Sequence, residues 1–132
     1  MNKYLRFRLM ILWVVVTFGT AYATHNRAGE ITYRQIGPQT IEVTITTYTK
    51  ASSVAADRDS LDVKWGDGTG EFVHRDNNRT QFVPNDIRIN YYVAQHTYPG
   101  VATYTVSFLD PNRISGILNV NYPNSIDIPF YL

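Results

Sequence analysis

The sequence predicts an all-β protein, a sandwich of antiparallel sheets with about seven short strands. Three observations favour this fold class. Apolar and polar residues alternate in one segment after another, whereas no segment after residue 23 keeps the apolar period of an amphipathic helix for more than a turn or two. Gly, Pro, Asn and Asp separate these segments. The chain is rich in threonine and contains 10 tyrosines, which favour strands.

The first 23 residues predict a secretory signal peptide. The basic segment MNKYLRFR precedes an apolar run from Leu9 to Phe18, and small residues end at Ala23, where we expect cleavage. The apolar run has about half of the roughly 20 residues that a membrane-spanning helix needs, which favours a cleaved signal over a membrane anchor. The chain therefore divides into a signal peptide at 1–23 and one β-sandwich domain at 24–132.

Seven segments carry the strand pattern. In order they are EITYRQI from Glu30, TIEVTITTYTK from Thr40, SLDVKW from Ser60, a strand beginning at Phe72, IRINYYV from Ile87, TYTVSF from Thr103 and SIDIPFYL from Ser125. Period-two alternation assigns one face of each strand to the core. The residues expected on that face are Ile41, Val43, Ile45, Leu61, Val63, Trp65, Ile87, Ile89, Tyr91, Val93, Tyr104, Val106, Phe108, Ile126, Ile128 and Phe130.

Composition argues against several functional classes. The formal net charge is +1, and three of the basic residues lie before the apolar run, so the rest of the chain has more acidic than basic residues. No basic patch remains that would indicate nucleic-acid binding. The chain has no cysteine, which excludes disulfides and lipidation of a cysteine. An exported domain of this kind must be held together by apolar burial, and it is more typical of a bacterium than of an animal.

The segment VKWGDGTGEF raises the choice between a binding loop and a turn. Trp65 ends one strand, and the next strand begins within a few residues, which predicts a hairpin. Asp67 can accept hydrogen bonds from amides two residues further on, and Gly68 can adopt positive φ. A phosphate loop would need a lysine after the glycines and a helix. Calcium would need more oxygens than Asp67 and Glu71 supply, so we interpret the segment as a turn.

The segment QHTYPGVATYTVSF predicts a tyrosine corner. Tyr104 stands two residues before Val106 in the strand after a turn, where its hydroxyl can bond to upstream backbone. Together with WGDG, this segment resembles the PKD (polycystic kidney disease) repeat, an immunoglobulin-like β-sandwich. Two departures are Val-Lys before the tryptophan and Ala102 in place of a glycine. The residues that match the repeat are Trp65, Gly66, Asp67, Gly68, His96, Tyr98, Tyr104 and Val106.

The flanking segments extend the resemblance to all of residues 24–132. THNRAGEITYRQIGPQTIEVTITTYT and DPNRISGILNVNYPNSIDIPFYL are similar to the N-terminal module of large Bacteroidetes surface proteins associated with gliding motility. Such proteins stack many β-sandwich modules and end in a sorting domain for type IX secretion. The present sequence has no such domain, so the resemblance implies a fragment or a truncated relative.

Candidate catalytic and metal-binding residues are few. His25, His74 and His96 lie in three separate regions without ligand spacing, and we expect His96 to be a hydrogen-bonded residue at a strand end. The acids of DRDSLD, from Asp57 to Asp62, are expected to be solvated surface charge rather than a glycosidase pair. No Gly-x-Ser-x-Gly motif is present. The sequence therefore predicts no catalytic site, no metal and no cofactor.

Two further groups of residues have both a structural and a binding interpretation. The arginines and carboxylates of HNRAGE, from His25, and DPNR, from Asp110, could form an ion pair that joins the chain ends, with surface binding as the alternative. Tyr48, Tyr92 and Tyr122 are expected to point outward, where they could stack on sugars or a partner.

The main hypothesis is a non-enzymatic, exported architectural or adhesive module of a bacterial surface or secreted protein. Its expected partners are neighbouring domains of a larger protein, or a surface protein or glycan, without nucleic acid and without a membrane span after signal cleavage. Its expected location is the cell surface, the outer membrane or the extracellular space. The alternatives are a carbohydrate-binding accessory module of a secreted hydrolase and a calcium-binding domain.

Overall fold

This computed structural model describes residues 26–132 of the chain, which fold around two antiparallel sheets. The signal peptide, its cleavage site and His25 lie outside the described residues. The strands are β1 (Asn26–Gln35), β2 (Thr40–Lys50), β3 (Ser60–Lys64), β4 (Gly70–His74), β5 (Gln81–Val83), β6 (Ile87–Thr97), β7 (Ser107–Asp110) and β8 (Phe130–Tyr131).

The strands form two sheets of four, ordered β1-β2-β6-β5 and β4-β3-β7-β8. All paired strands run antiparallel, and the longest ladder joins β2 to β6 over their whole length. Helical structure in the described residues is limited to two 3₁₀ turns, Val54–Ala56 and Ser125–Asp127. No helix between residues 26 and 132 has the length and apolar character to cross a membrane. The all-β sandwich predicted from the sequence is confirmed.

The core lies between the sheets, and its centre consists of residues that period-two alternation predicts. Leu61, Val63 and Trp65 from the second sheet are buried, and they pack with Val43 and Ile45 from the first. The β3–β4 hairpin is confirmed, because the N–H of Trp65 donates to the carbonyl of Thr69 across 3.1 Å. Burial of these large apolar side chains supplies the main stabilising free energy.

The predicted core face of β6 is wrong. Antiparallel pairing places Tyr92 opposite Ile45, and residues paired in this way point to the same side of a sheet. The inner face of β6 therefore carries Arg88, Asn90 and Tyr92, all of which are buried. The predicted inward residues lie instead on the outer face, and these are Ile87, Ile89, Tyr91 and Val93. Alternation selects the wrong face of β6, because the more apolar set of side chains lies outside and the polar set lies inside.

The predicted last strand is also largely wrong. Only Phe130–Tyr131 pairs with β7, and Ser125–Asp127 form a 3₁₀ turn. Ser125 is fully buried, and two hydrogen bonds satisfy its hydroxyl there. The hydroxyl donates to the carbonyl of Ile114 across 2.7 Å and accepts from the N–H of Ile117 across 3.1 Å. Of the three apolar residues predicted to face the core, Phe130 is buried, Ile126 is half-buried and Ile128 is exposed.

Several other strands also differ from the prediction, among them β1, which begins at Asn26, and β6, which extends to Thr97. The short edge strand β5 was not predicted, since its three residues are too few to establish alternation. The predicted strand over Thr103–Phe108 begins its ladder only at Ser107. Tyr104 and Val106 nevertheless pack against the core beside the buried Phe108, as predicted.

Candidate functional site

Residues of the WGDG turn and of the segment from Gln95 to Phe108 come together at one end of the sandwich. Trp65 follows β3, and the turn after it contains two glycines with positive φ, +85° at Gly66 and +90° at Gly68. A Cβ atom on Gly66 would lie 2.6 Å from the backbone nitrogen and oxygen of Thr105. Only glycine combines this backbone angle with so close an approach. The turn therefore lies directly against the segment that leads into β7.

Four aromatic rings form a continuous stack, called the aromatic stack below and made of Trp65, His96, Tyr98 and Tyr104. The rings of Trp65 and His96 are parallel with centroids 4.6 Å apart, and His96 meets Tyr98 edge-on at 4.6 Å. Tyr98 and Tyr104 stack at 3.9 Å. Such pairs add stabilisation beyond simple area burial. The stack joins β6 to the segment before β7 and to the end of β3.

Asp67 connects the turn to the aromatic stack. Its carboxylate accepts hydrogen bonds from the Thr69 hydroxyl at 2.6 Å, the Thr69 N–H at 2.9 Å and the Nε2 of His96 at 2.8 Å. These bonds, led by the one from the Thr69 hydroxyl and followed by that from His96, lower the pKa of Asp67 to about 2. The predicted bond from Asp67 to an amide two residues on is confirmed, as is the role of His96 at a strand end.

The two tyrosines of the stack are fixed by their hydroxyl groups. Tyr104 donates to the carbonyl of Gly100 across 3.0 Å, so the predicted tie to upstream backbone is confirmed. Tyr98 donates to the carbonyl of Trp65 across 3.1 Å and is itself buried. Each hydroxyl therefore stabilises a turn or a strand end.

The chemistry open to this end of the sandwich is limited by these contacts. Both oxygens of Asp67 accept hydrogen bonds from the protein, and the side chain is only 5% exposed. Trp65 is buried. Within residues 26–132, no group of three or more His, Asp or Glu residues is arranged to hold a metal ion. These contacts therefore stabilise the fold where the turn after β3 packs against the ends of the two sheets.

A second cluster of charged residues lies near the other end of the β2–β6 ladder, and the sequence did not predict it. Asp57 pairs with Arg75 and lies 2.8 Å from Arg88, while Arg75 also reaches Asp59 at 3.0 Å. Burial opposes ionisation of Asp57, but the two guanidinium groups outweigh it and lower its pKa. The expectation that these acids are simply solvated is wrong for Asp57. A carboxyl group with a lowered pKa is also a poor general acid.

The inner face of β6 continues this polar interior. The amide of Asn90 donates to the hydroxyls of Thr49 at 3.1 Å and Thr47 at 3.3 Å. Tyr92 donates to the carbonyl of Arg58 across 2.7 Å, and burial raises its pKa to about 12. The prediction that Tyr92 points outward is therefore wrong. The sequence does contain arginines, Arg75 and Arg88, that can pair with the acids of the DRD segment. Which acid each arginine contacts becomes clear only once the strand pairing is known.

The chain ends are joined, but not by the predicted ion pair. Asp110 pairs with Arg58 at 2.9 Å, and Arg113 donates to the carbonyls of Ile128 at 3.0 Å and Pro129 at 2.9 Å. The link between the ends is made by backbone groups. The N–H of Asn26 donates to the carbonyl of Asn112 across 2.8 Å, and its carbonyl accepts from the N–H of Ile114 across 3.1 Å.

The predicted outward tyrosines do not form a common surface. Tyr122 is exposed, Tyr48 is half-buried and Tyr92 is buried. Other exposed aromatic side chains include Tyr33, Phe72 and Phe82.

Comparison with known proteins identifies no relative. No family model, no curated protein and no solved structure matches the chain.

Proposed function

We propose that this protein is a non-enzymatic, exported module of architectural or adhesive type that belongs to a bacterial cell-surface or secreted protein. The observation that carries the proposal is the use of the motif residues inside the fold. The polar groups of the motif side chains form hydrogen bonds within the protein itself, as seen for Asp67, His96, Tyr98 and Tyr104. A motif used in this way stabilises a sandwich and does not leave a reacting group free.

Two features of the sequence support the exported location. The basic and apolar segments before Ala23 resemble a signal peptide, and the flanks of the domain resemble Bacteroidetes surface proteins associated with gliding motility. The resemblance to the PKD repeat supports a modular role, in which the domain spaces or contacts its neighbours. The sandwich builds its core without cysteine, which suits a chain that folds after export without oxidation.

The export step is tested by expressing the full chain with a C-terminal tag in a Gram-negative host. We expect the tagged protein outside the inner membrane, with Thr24 as its first residue in mass spectrometry. The matched control Val15→Arg interrupts the apolar run and is expected to remain uncleaved in the cytoplasm. A wild-type chain that stays uncleaved inside the cell would contradict the proposal.

The second candidate is a carbohydrate-binding module, and exposed aromatic side chains favour it. Phe72 on β4 is 68% exposed and Tyr122 is 62% exposed, and flat rings of this kind can stack on sugars. A glycan array probed with the tagged protein separates the two candidates. Under the architectural proposal no glycan binds above background. A glycan bound by the wild type and lost in Phe72→Ala would favour the carbohydrate-binding function instead.

A further inference from the structure

The outer face of the second sheet carries two exposed apolar side chains on its strands β4 and β7. Side chains on this face alternate along each strand with the core residues Val63, Val73 and Phe108. The two apolar side chains are Phe72, which is 68% exposed, and Leu109, which is 59% exposed. Their neighbours on the same face decide what a surface of this kind can bind.

A first row of outward side chains crosses β4, β3 and β7. Asp62 pairs with Phe72, and it lies one step along β3 from Val63, which pairs with Phe108. Because paired strands run antiparallel, Leu109 lies opposite Asp62 on the same face. The first row therefore consists of Phe72, Asp62 and Leu109, with a carboxylate between two large apolar side chains.

A second row lies two residues further along β3. It is centred on Lys64, which pairs with Gly70 on one side and Ser107 on the other. The ammonium group of Lys64 lies 2.8 Å from the carboxylate of Asp62, and the two side chains are 60% and 46% exposed. The second row therefore has the opposite charge at its centre and small residues where the first row has large ones.

The two rows match each other when a second copy of the sheet lies face to face on the first. A two-fold axis that runs across the strands, midway between the rows, places the first row of each copy on the second row of the other. Three kinds of pair then face each other across the contact, each of them twice: Phe72 with Gly70, Asp62 with Lys64, and Leu109 with Ser107. Every pair joins a large side chain to a small one or an acid to a base, so no like charges meet.

The side chain of Lys64 lies directly over Gly70. A Cβ atom on this glycine would lie 3.0 Å from the Cδ of Lys64 and 3.4 Å from its Nζ. An aromatic ring placed on the lysine stem buries the methylene groups and leaves the ammonium group free to reach a carboxylate. Phe72 of the second copy is the ring that the two-fold axis brings to this position.

We propose that the two rows form a self-association surface, through which two copies of this chain bind face to face and exchange the Asp62–Lys64 pair. Three strands present a face of roughly 14 Å by 17 Å, which is small beside the about 800 Å² per partner of a standard interface. We therefore expect a weak dimer with a dissociation constant of about 100 µM, and monomers at low micromolar concentration. Self-association is compatible with an architectural and with a carbohydrate-binding module, so it does not depend on the proposed function.

Sedimentation velocity of the full chain between about 5 and 500 µM measures the association. We expect the average sedimentation coefficient to rise with concentration toward that of a dimer. Asp62→Lys and Lys64→Asp each bring like charges together at both contacts, and each should weaken association at least about tenfold. The double variant Asp62→Lys/Lys64→Asp restores opposite charges and should associate like the wild type.

A mixture of the two single variants tests the two-fold arrangement directly. Neither Asp62→Lys nor Lys64→Asp keeps an acid–base pair of its own at these positions. In a mixed dimer, however, each lysine of one variant faces an aspartate of the other at both contacts. The equimolar mixture should therefore form a heterodimer with about the affinity of the wild-type dimer. A folding defect in either variant could not produce this recovery.

Two matched aromatic variants locate the contact on this sheet. Phe72→Ser removes the ring that covers the lysine stem and should weaken association about tenfold. Phe82→Ser removes a side chain that is 70% exposed on β5, in the other sheet, and should leave association unchanged. Because both side chains are mostly exposed, both variants should fold, which far-ultraviolet circular dichroism checks.

Three results would overturn the proposal. The first is a wild type that stays monomeric at about 500 µM, and glycan binding that is lost in Phe72→Ser would then identify a sugar as the occupant. The second is association that both single charge variants retain, because the contact would then lie elsewhere on the molecule. The third is a mixture of the single variants that associates no better than either variant alone, because the two rows would then not face each other.

Discussion

At the scale of single residues, Asp67 has one contact that the sequence predicts and one that it does not. Its bond to the amide of Thr69 spans two residues, so local turn chemistry predicts it. Its bond to His96 joins residues 29 positions apart and depends on how β3 and β6 are placed in opposite sheets. No local pattern contains that information. The resemblance to the PKD repeat included both residues, but their contact follows only from the three-dimensional fold.

The lowered pKa of Asp67 predicts a specific dependence of stability on pH. The folded-state pKa of about 2 lies below the ordinary value of 3.8, so ionised Asp67 favours the folded state. Its contribution is fully present above about pH 5 and is lost as the pH falls from about 4 to 2. Asp67→Asn should therefore melt below the wild type at pH 7, and the difference should shrink as the pH approaches 2.

Thermal melts of both proteins between pH 7 and pH 2 check this prediction. Asp62→Asn is the matched control, because the carboxylate of Asp62 pairs with Lys64 on the surface. That control should stay within about 0.5 kcal/mol of the wild type at every pH. A difference between Asp67→Asn and the wild type that is independent of pH would contradict the assigned role of the charge.

The hydroxyl of Tyr98 gives a second prediction at this scale. Tyr98→Phe keeps the ring in the aromatic stack but removes the donor to the carbonyl of Trp65. A buried carbonyl without its partner costs about 1 kcal/mol of unfolding free energy. Urea denaturation measures the change, and Tyr122→Phe, at an exposed site, serves as the control with no expected effect. Equal stability of the two variants would show that the hydroxyl of Tyr98 is not a net contributor.

At the scale of elements, β6 explains why alternation is an incomplete guide. Ile87, Ile89, Tyr91 and Val93 form the more apolar face, yet they lie outside. The inner face is decided by the ladder with β2, whose Val43 and Ile45 are fully buried. Arg88 can be buried there because Asp57 lies beside its charged group. By contrast, β2 and β3 have one apolar and one polar face over the centre of the core, and their orientation was predicted correctly.

The ionic contacts of the β6 interior predict unequal effects for two neighbouring acids. Asp57→Ala removes the carboxylate that faces both Arg75 and the buried Arg88. We expect a loss of about 2 kcal/mol, less than the cost of breaking a fully buried pair, because the side chain of Asp57 is 36% exposed. Asp59→Ala also removes a partner of Arg75, but this side chain is 88% exposed, and the loss should be below about 0.5 kcal/mol.

Urea denaturation of the two alanine variants under the same conditions compares them directly. Similar losses in both would mean that the ion pairs contribute through surface charge rather than through the buried guanidinium of Arg88. In that case the polar interior of β6 would be held mainly by the hydroxyl and amide bonds of Thr47, Thr49 and Asn90.

At the scale of the whole molecule, the two halves of the interior differ in chemistry but share strands. The aromatic stack and the apolar core occupy one half, and the charged and amide groups on Arg88 and Asn90 occupy the other. Strands β2 and β6 run through both halves, with their ladder extending from Thr40 to Lys50. The closure between Asn26 and residues 112–114 ties the first strand to the loop before β8. Because the sequence has no cysteine, no disulfide can make this link. The backbone hydrogen bonds that make it do not depend on particular side chains, so the sequence does not predict them.

The continuous ladder between β2 and β6 predicts that the domain unfolds in one step. If the polar half opened separately, the β2–β6 ladder would have to break in the middle while Trp65 stayed packed. We therefore expect the fluorescence of Trp65 and the far-ultraviolet circular dichroism to change with the same urea midpoint. The variant Trp13→Phe leaves Trp65 as the sole tryptophan reporter. Asp57→Ala in that background should move both midpoints together, because a local loss in a cooperative unit lowers the stability of the whole. A circular dichroism transition that precedes the Trp65 transition would instead show that the polar half is an independent unit.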